Sequence, residues 1–113
     1  MNPVCSLEEF VAFIRENQGI SLKKAIAESS LLESDLGITG DDGVELLQAI
    51  QERYSISFIG SDGTVREAFG LAEDQFLFGS EGFNLFSRVN VKPITVGELF
   101  GVTCRAYEKK HGA

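Results

Sequence analysis

Residues 32–47 read Leu32-Glu33-Ser34-Asp35-Leu36-Gly37-Ile38-Thr39-Gly40-Asp41-Asp42-Gly43-Val44-Glu45-Leu46-Leu47. Gly37, Gly40 and Gly43 place three glycines within seven positions, a density that interrupts regular structure and marks a turn. Val44, Leu47, Ile50 and Tyr54 then recur at three- and four-residue steps, with Leu46 and Ala49 alongside. That spacing predicts an amphipathic helix over 41–54 whose core face is the Val44, Leu47, Ile50, Tyr54 line. Asp41, Asp42 and Glu45 fall in or near its first turn, where negative charge favours the positive end of the helix dipole.

Working outward, Ser6-Leu7-Glu8-Glu9 has the form of a capping box, and Leu7, Phe10, Val11 and Ile14 follow at the spacing of one helical face, with Phe13 at its margin. A helix over 7–17 is expected, closed by Gly19, which tolerates a left-handed cap. The stretch 21–30 has Leu22, Ala25, Ile26 and Ala27 and is a candidate short helix, weakened by its serines. Ser55-Ile56-Ser57-Phe58 alternates polar and apolar residues; we read it as tucking Ile56 and Phe58 into a helical core. Beyond it, 60–90 is irregular, with five of the nine Phe residues (Phe69, Phe76, Phe78, Phe83, Phe86), five glycines, and a possible helical piece over 64–71. So many rings in a glycine-rich stretch suggest an insertion folded back onto the bundle, because leaving them wet would expose a large apolar patch. Phe76 and Phe78 are expected to be buried. After Pro93, Thr95-Val96-Gly97-Glu98 offers a second capping box, and Val96, Leu99, Val102 or Thr103, and Ala106 mark a last helix over 96–109, with Lys109 and Lys110 suited to its C-terminal end. The fold class expected is mainly α: one domain spanning 1–113, a small helical bundle with an extended Phe-rich insertion before the last helix.

The 113 residues carry 10 Lys+Arg against 17 Asp+Glu, a net charge of -7. With a pI near 4.6, nucleic acid and anionic membranes are poor partners, and a basic protein surface is the better match. The charge is polarised. Between 28 and 52 lie Glu28, Glu33, Asp35, Asp41, Asp42, Glu45 and Glu52 with no Lys or Arg, whereas from Arg88 onward five basic residues face two acidic ones. Two cysteines, Cys5 and Cys104, no secretory pattern at the N-terminus and no bilayer-length apolar stretch point to a cytoplasmic protein.

Leu32, Asp35-Leu36-Gly37 and, after six residues, Val44-Glu45-Leu46 resemble the centre of acyl carrier proteins, where the stretch commonly reads D-L-G-x-D-S-L-x-x-V-E-L. Ile94-Thr95-Val96-Gly97-Glu98-Leu99 is similar to the T-V-G-D-L opening of that family's last helix. The resemblance covers most of the chain outside 60–90, and it implies an acyl-carrier-like bundle. The family's serine carries a phosphopantetheine arm. Here Gly40 stands in its place, Thr39 in place of the preceding Asp, and Asp41 in place of the following Leu. The closer similarity is to small bacterial proteins grouped with acyl carriers that have G-D-D in place of D-S-L. A phosphodiester needs a side-chain hydroxyl, which glycine lacks, so no phosphopantetheine is expected.

Other chemistry finds little to work with. Asp41 and Asp42 are adjacent and diverge on a helix, which makes them a poor acid/base pair or metal site, and Asp35 with Asp41-Asp42 lacks the ligand spacing of a calcium loop. His111 is the one histidine, third from the end of the chain, where fraying is expected, and Cys5 and Cys104 make no zinc site by themselves. Gly60-Ser61-Asp62-Gly63 is turn chemistry without a phosphate-cradling lysine. The leading expectation is a non-enzymatic interaction module, with no catalytic, cofactor or metal residues, that meets a basic surface, such as that of an enzyme of acyl metabolism, through Asp35, Thr39, Gly40, Asp41, Asp42, Glu45 and Glu52. The alternatives are an acyl carrier modified at a nonstandard residue such as Thr39, and a small enzyme, for which no nucleophile, base and orienting group can be assembled.

Overall fold

A computed structural model of the chain describes residues 6–38, 40–61, 63, 65–71 and 93–111, together with the backbone of 75–76 and 90–91. It is mainly helical. Among the described residues α1 is Leu7–Gln18, α2 Gly40–Tyr54, α3 Arg66–Phe69 and α4 Val96–His111, and two short strands, β1 (Gln75–Phe76) and β2 (Asn90–Val91), pair in parallel with Gln75 opposite Asn90. No helix among the described residues is long and apolar enough to cross a membrane.

Both capping boxes form. The Ser6 hydroxyl accepts from the Glu9 amide at 3.2 Å and Glu9 Oε1 accepts from the Ser6 amide at 3.3 Å, so α1 begins where its sequence supplies partners for its first free amides. It ends at Gly19, left-handed at φ 65, a conformation that costs a glycine nothing. At α4, Thr95 Oγ1 accepts from the Glu98 amide at 3.0 Å while Glu98 Oε1 accepts from the Thr95 amide at 3.1 Å.

The core is assembled from Phe10 and Ile14 of α1, Leu46 and Ile50 of α2, Phe69 of α3, and Val96, Leu99 and Val102 of α4, closed by Leu32, Ile38, Ile56, Phe58 and Ile94 from the connecting segments. Both Ile56 and Phe58 enter it as expected. Ring contacts knit the helices together: Phe10 lies 5.2 Å from Phe100 and 6.3 Å from Tyr54, and Phe58 meets Phe69 edge to face at 5.2 Å. Thr103, fully buried, donates its hydroxyl to the Leu99 carbonyl at 2.8 Å.

Three expectations change. The buried line of α2 is Gly43, Leu46 and Ile50, whereas Val44 is 60% exposed and Leu47 only half-buried. The apolar face is thus rotated toward Leu46, because a buried glycine belongs to the stripe but is invisible to a count of apolar side chains. The stretch 21–30 forms turns rather than a helix. Its serines compete for the backbone: Ser21 Oγ accepts from the Lys23 amide at 3.1 Å and Ser30 Oγ from the Ala27 amide at 2.8 Å, while Arg15 binds the carbonyls of Ser21 and Lys24. Helix α4 runs on through His111, where fraying was expected; the ring stacks 4.3 Å from Tyr107 and its Nε2 meets the Ser55 carbonyl at 3.0 Å. Of the Phe-rich stretch, Phe69 is buried, and the side chains of Phe76, Phe78, Phe83 and Phe86 lie outside the described residues, as does Cys5. Cys104 is half-buried in α4.

The segment before α2 is fastened across the start of α4. The Ser30 carbonyl accepts from the Val96 amide at 2.9 Å, the Glu28 carbonyl from the Gly97 amide at 2.8 Å, and the Ile94 carbonyl from the Leu32 amide at 3.0 Å. Gly97 permits this approach: a Cβ there would stand 2.5 Å from Glu28 Cγ and 3.2 Å from the Glu28 carbonyl oxygen. A Cβ at Gly101, by contrast, meets only the Arg105 guanidinium at 3.6 Å.

Two measurements check this packing. Leu46→Ala should cost about 2–5 kcal/mol in chemical denaturation and Val44→Ala no more than about 0.5, and equal losses would mean that the face of α2 is assigned wrongly. Gly97→Ala should lower stability by about 1–3 kcal/mol through overpacking against Glu28, whereas Gly101→Ala should raise it by about 0.5–1.

Candidate functional site

The turn that leads into α2 is built by its own backbone. The Leu31 carbonyl accepts from the amides of Asp35 and Leu36, the Glu33 carbonyl from Gly37, and the Leu32 carbonyl from Ile38 at 2.8 Å, so Leu32 and Ile38 plunge side by side into the core. Asp35 locks the turn from outside: its Oδ2 accepts from the Leu31 amide at 2.7 Å. Of the expected surface acids, Asp35 therefore has a structural task as well.

Helix α2 opens at Gly40 with φ 54, in the left-handed region that an L side chain enters only at a cost of about 1–2 kcal/mol. The residue that stands where the resemblance calls for serine is thus one whose backbone itself favours glycine. Thr39, beside it, lies outside the described residues. Asp41 and Asp42 follow in the first turn, both exposed, and the Gln18 side chain donates through Nε2 to the Asp42 carbonyl at 3.4 Å, linking the end of α1 to the start of α2.

Asp41, Glu45, Gln48 and Glu52 step by four, three and four residues, which aligns them as one stripe about 16 Å long. All four are exposed, and they lie opposite the buried Gly43, Leu46, Ile50 line. The structure therefore brings Asp41, Glu45 and Glu52 together on one rail, sets Asp42 beside its start and leaves Asp35 in the preceding turn. Sequence reading missed Val44, which it assigned to the core. Its exposed side chain adds an apolar contact at the edge of the acidic stripe, and the signal that could have found it is the buried glycine one position before.

Such a surface can attract and orient a cationic partner. Among the described residues no three His, Cys, Asp or Glu side chains gather as metal ligands. A second surface, also missed, lies where Arg105, Lys109 and Lys110 of α4 border a hollow with Phe58 and Ala68. No family model, curated protein or solved structure matches the chain.

The two kinds of acid should separate in thermal unfolding. Asp35→Ala should cost about 1 kcal/mol through the lost turn bond, while Glu52→Gln should shift stability by less than about 0.5. Equal, negligible effects would show that Asp35 serves the surface alone.

Proposed function

We propose that this protein is a non-enzymatic interaction module of acyl-carrier-like build that does not carry the phosphopantetheine arm, and that it meets its partner through the acidic face of α2. The observation that supports this most is the conjunction at the start of α2: Gly40 has neither a hydroxyl nor a backbone conformation suited to serine, yet the acidic rail of Asp41, Glu45 and Glu52 beyond it is fully displayed. The loss of cargo chemistry with retention of a charged docking face describes a domain that is recognised rather than loaded. The order of helices, the motif around Asp35-Leu36-Gly37 and the capped opening at Thr95 support the acyl-carrier-like assignment.

The partner surface is basic. Opposite charges steer the encounter and set its orientation, and their reach shortens to about 8 Å at physiological salt, so association should slow steeply as salt is added. Val44, at the edge of the rail, supplies an apolar contact that a purely charged face would lack, since charged groups at a rim contribute more to rate than to affinity.

Two measurements test the reading. Incubation with a phosphopantetheinyl transferase and coenzyme A should leave the intact mass unchanged, and stoichiometric gain of an arm at Thr39 or any serine would replace this proposal with a working acyl carrier. Reversal of Asp41, Glu45 and Glu52 to Lys should weaken capture of the native partner by about tenfold or more, with thermal stability nearly kept. Undiminished capture would move the docking face elsewhere.

A further inference from the structure

The C-terminal half of α4 is amphipathic in an unusual sense. Val102, Arg105, Ala106, Lys109 and Lys110 follow one another at i, i+3, i+4, i+7 and i+8, so two small apolar side chains and three cations share a single stripe. That stripe forms one wall of a groove of about 470 Å³. The opposite wall is the extended segment Ser57 to Gly60, and Ala68 and Glu67 of α3 stand at one end.

The groove is held open by specific bonds. Gln51 Oε1 accepts from the Phe58 amide at 2.8 Å, which pins the segment to α2 and presses the Phe58 ring, 1% exposed, into the core as a rigid base. At the far end the His111 ring meets the Ser55 carbonyl, tying the last turn of α4 to the start of the same segment. Both walls are therefore fixed to the bundle, and the small side chain of Ala106 leaves the space between them unfilled. Ile59, 53% exposed, adds an apolar edge.

Charge selects the occupant. Glu67 and Arg105 also line the adjoining hollow toward Gly101, which puts them at a common end of the groove and lets one offset the other. Lys109 and Lys110 follow one turn further along α4, so the lining carries three cations against the single carboxylate of Glu67. The helix dipole accounts for cations at this end of α4, but not for an apolar trough opening between them. In a chain of net charge -7, this is a basic, apolar hollow against the overall field.

We infer that this groove is a binding site for a small amphipathic anion, an unbranched or aromatic apolar body bearing one carboxylate. The body lies along Phe58, Ala68, Val102 and Ala106, and the carboxylate is held by Lys109 and Lys110. The volume is within the range of about 300–1,000 Å³ usual for small-ligand sites. The site lies on a different face from the acidic rail of α2 and does not depend on its role.

The test is a titration of isotope-labelled full-length protein with decanoate, kept below its micellar concentration, and followed by backbone amide shifts. Saturable shifts confined to 57–60, 67–68 and 102–110 are expected. Decyltrimethylammonium, with the same chain and the opposite charge, should produce none of them. Replacing both Lys109 and Lys110 with Gln should weaken decanoate binding about fivefold or more, and Ala106→Leu, which fills the trough, about tenfold or more, each with a melting temperature close to that of the parent. The variant with Asp41, Glu45 and Glu52 reversed to Lys should bind decanoate at the groove as the parent does, which keeps this outcome separate from that of the acidic face. Shifts that are absent or spread over the whole chain, equal binding of the cationic amphiphile, or unchanged binding by Ala106→Leu would overturn the inference.

Discussion

The structure depends on one junction, the clasp between the segment 28–32 and the opening of α4. A helix begins with amides that no earlier turn can satisfy, and in α4 two of these are taken by the Ser30 and Glu28 carbonyls rather than by water. The same bonds stop the long connection after α1 from wandering, and so set where Leu32 and Ile38 enter the core and where α2 starts. Gly97 eases this approach, since a Cβ there would press on the Glu28 side chain and carbonyl. A local property of one residue thereby positions an element more than fifty places earlier in the chain.

From that junction the two surfaces of the molecule follow. Helix α2 is anchored through Leu46 and Ile50, which turns Asp41, Glu45 and Glu52 outward as a single acidic rail. Helix α4 is anchored through Val96, Leu99 and Val102, which leaves Arg105, Lys109 and Lys110 on its flank above Phe58. The charge asymmetry of the sequence is thus separated in space as well as along the chain. Gly40 sits at the head of the acidic rail with a backbone, at φ 54, that disfavours a side chain there.

Local chemistry was legible in the sequence. Ser6 with Glu9 and Thr95 with Glu98 each carry the whole of a capping box within four residues, and both helix starts lie where those residues put them. The left-handed cap at Gly19 and the acids of the first turn of α2 likewise depend on neighbours in the chain, so the positions of α1, α2 and α4 could be read from residue order. What tertiary structure decided is every choice that local signals leave balanced. Val44 and Leu46 are equally apolar, and only packing beside the buried Gly43 sends one out and the other in. The stretch 21–30 has helix-forming residues, but Arg15 draws the Ser21 and Lys24 carbonyls to itself and the serine hydroxyls hold the turns. His111 is ordered at the end of α4 because the Ser55 carbonyl, distant in sequence, comes to meet it. The groove beside α4 has walls from three separate segments, and no spacing within any one of them could reveal that the fold would bring them together.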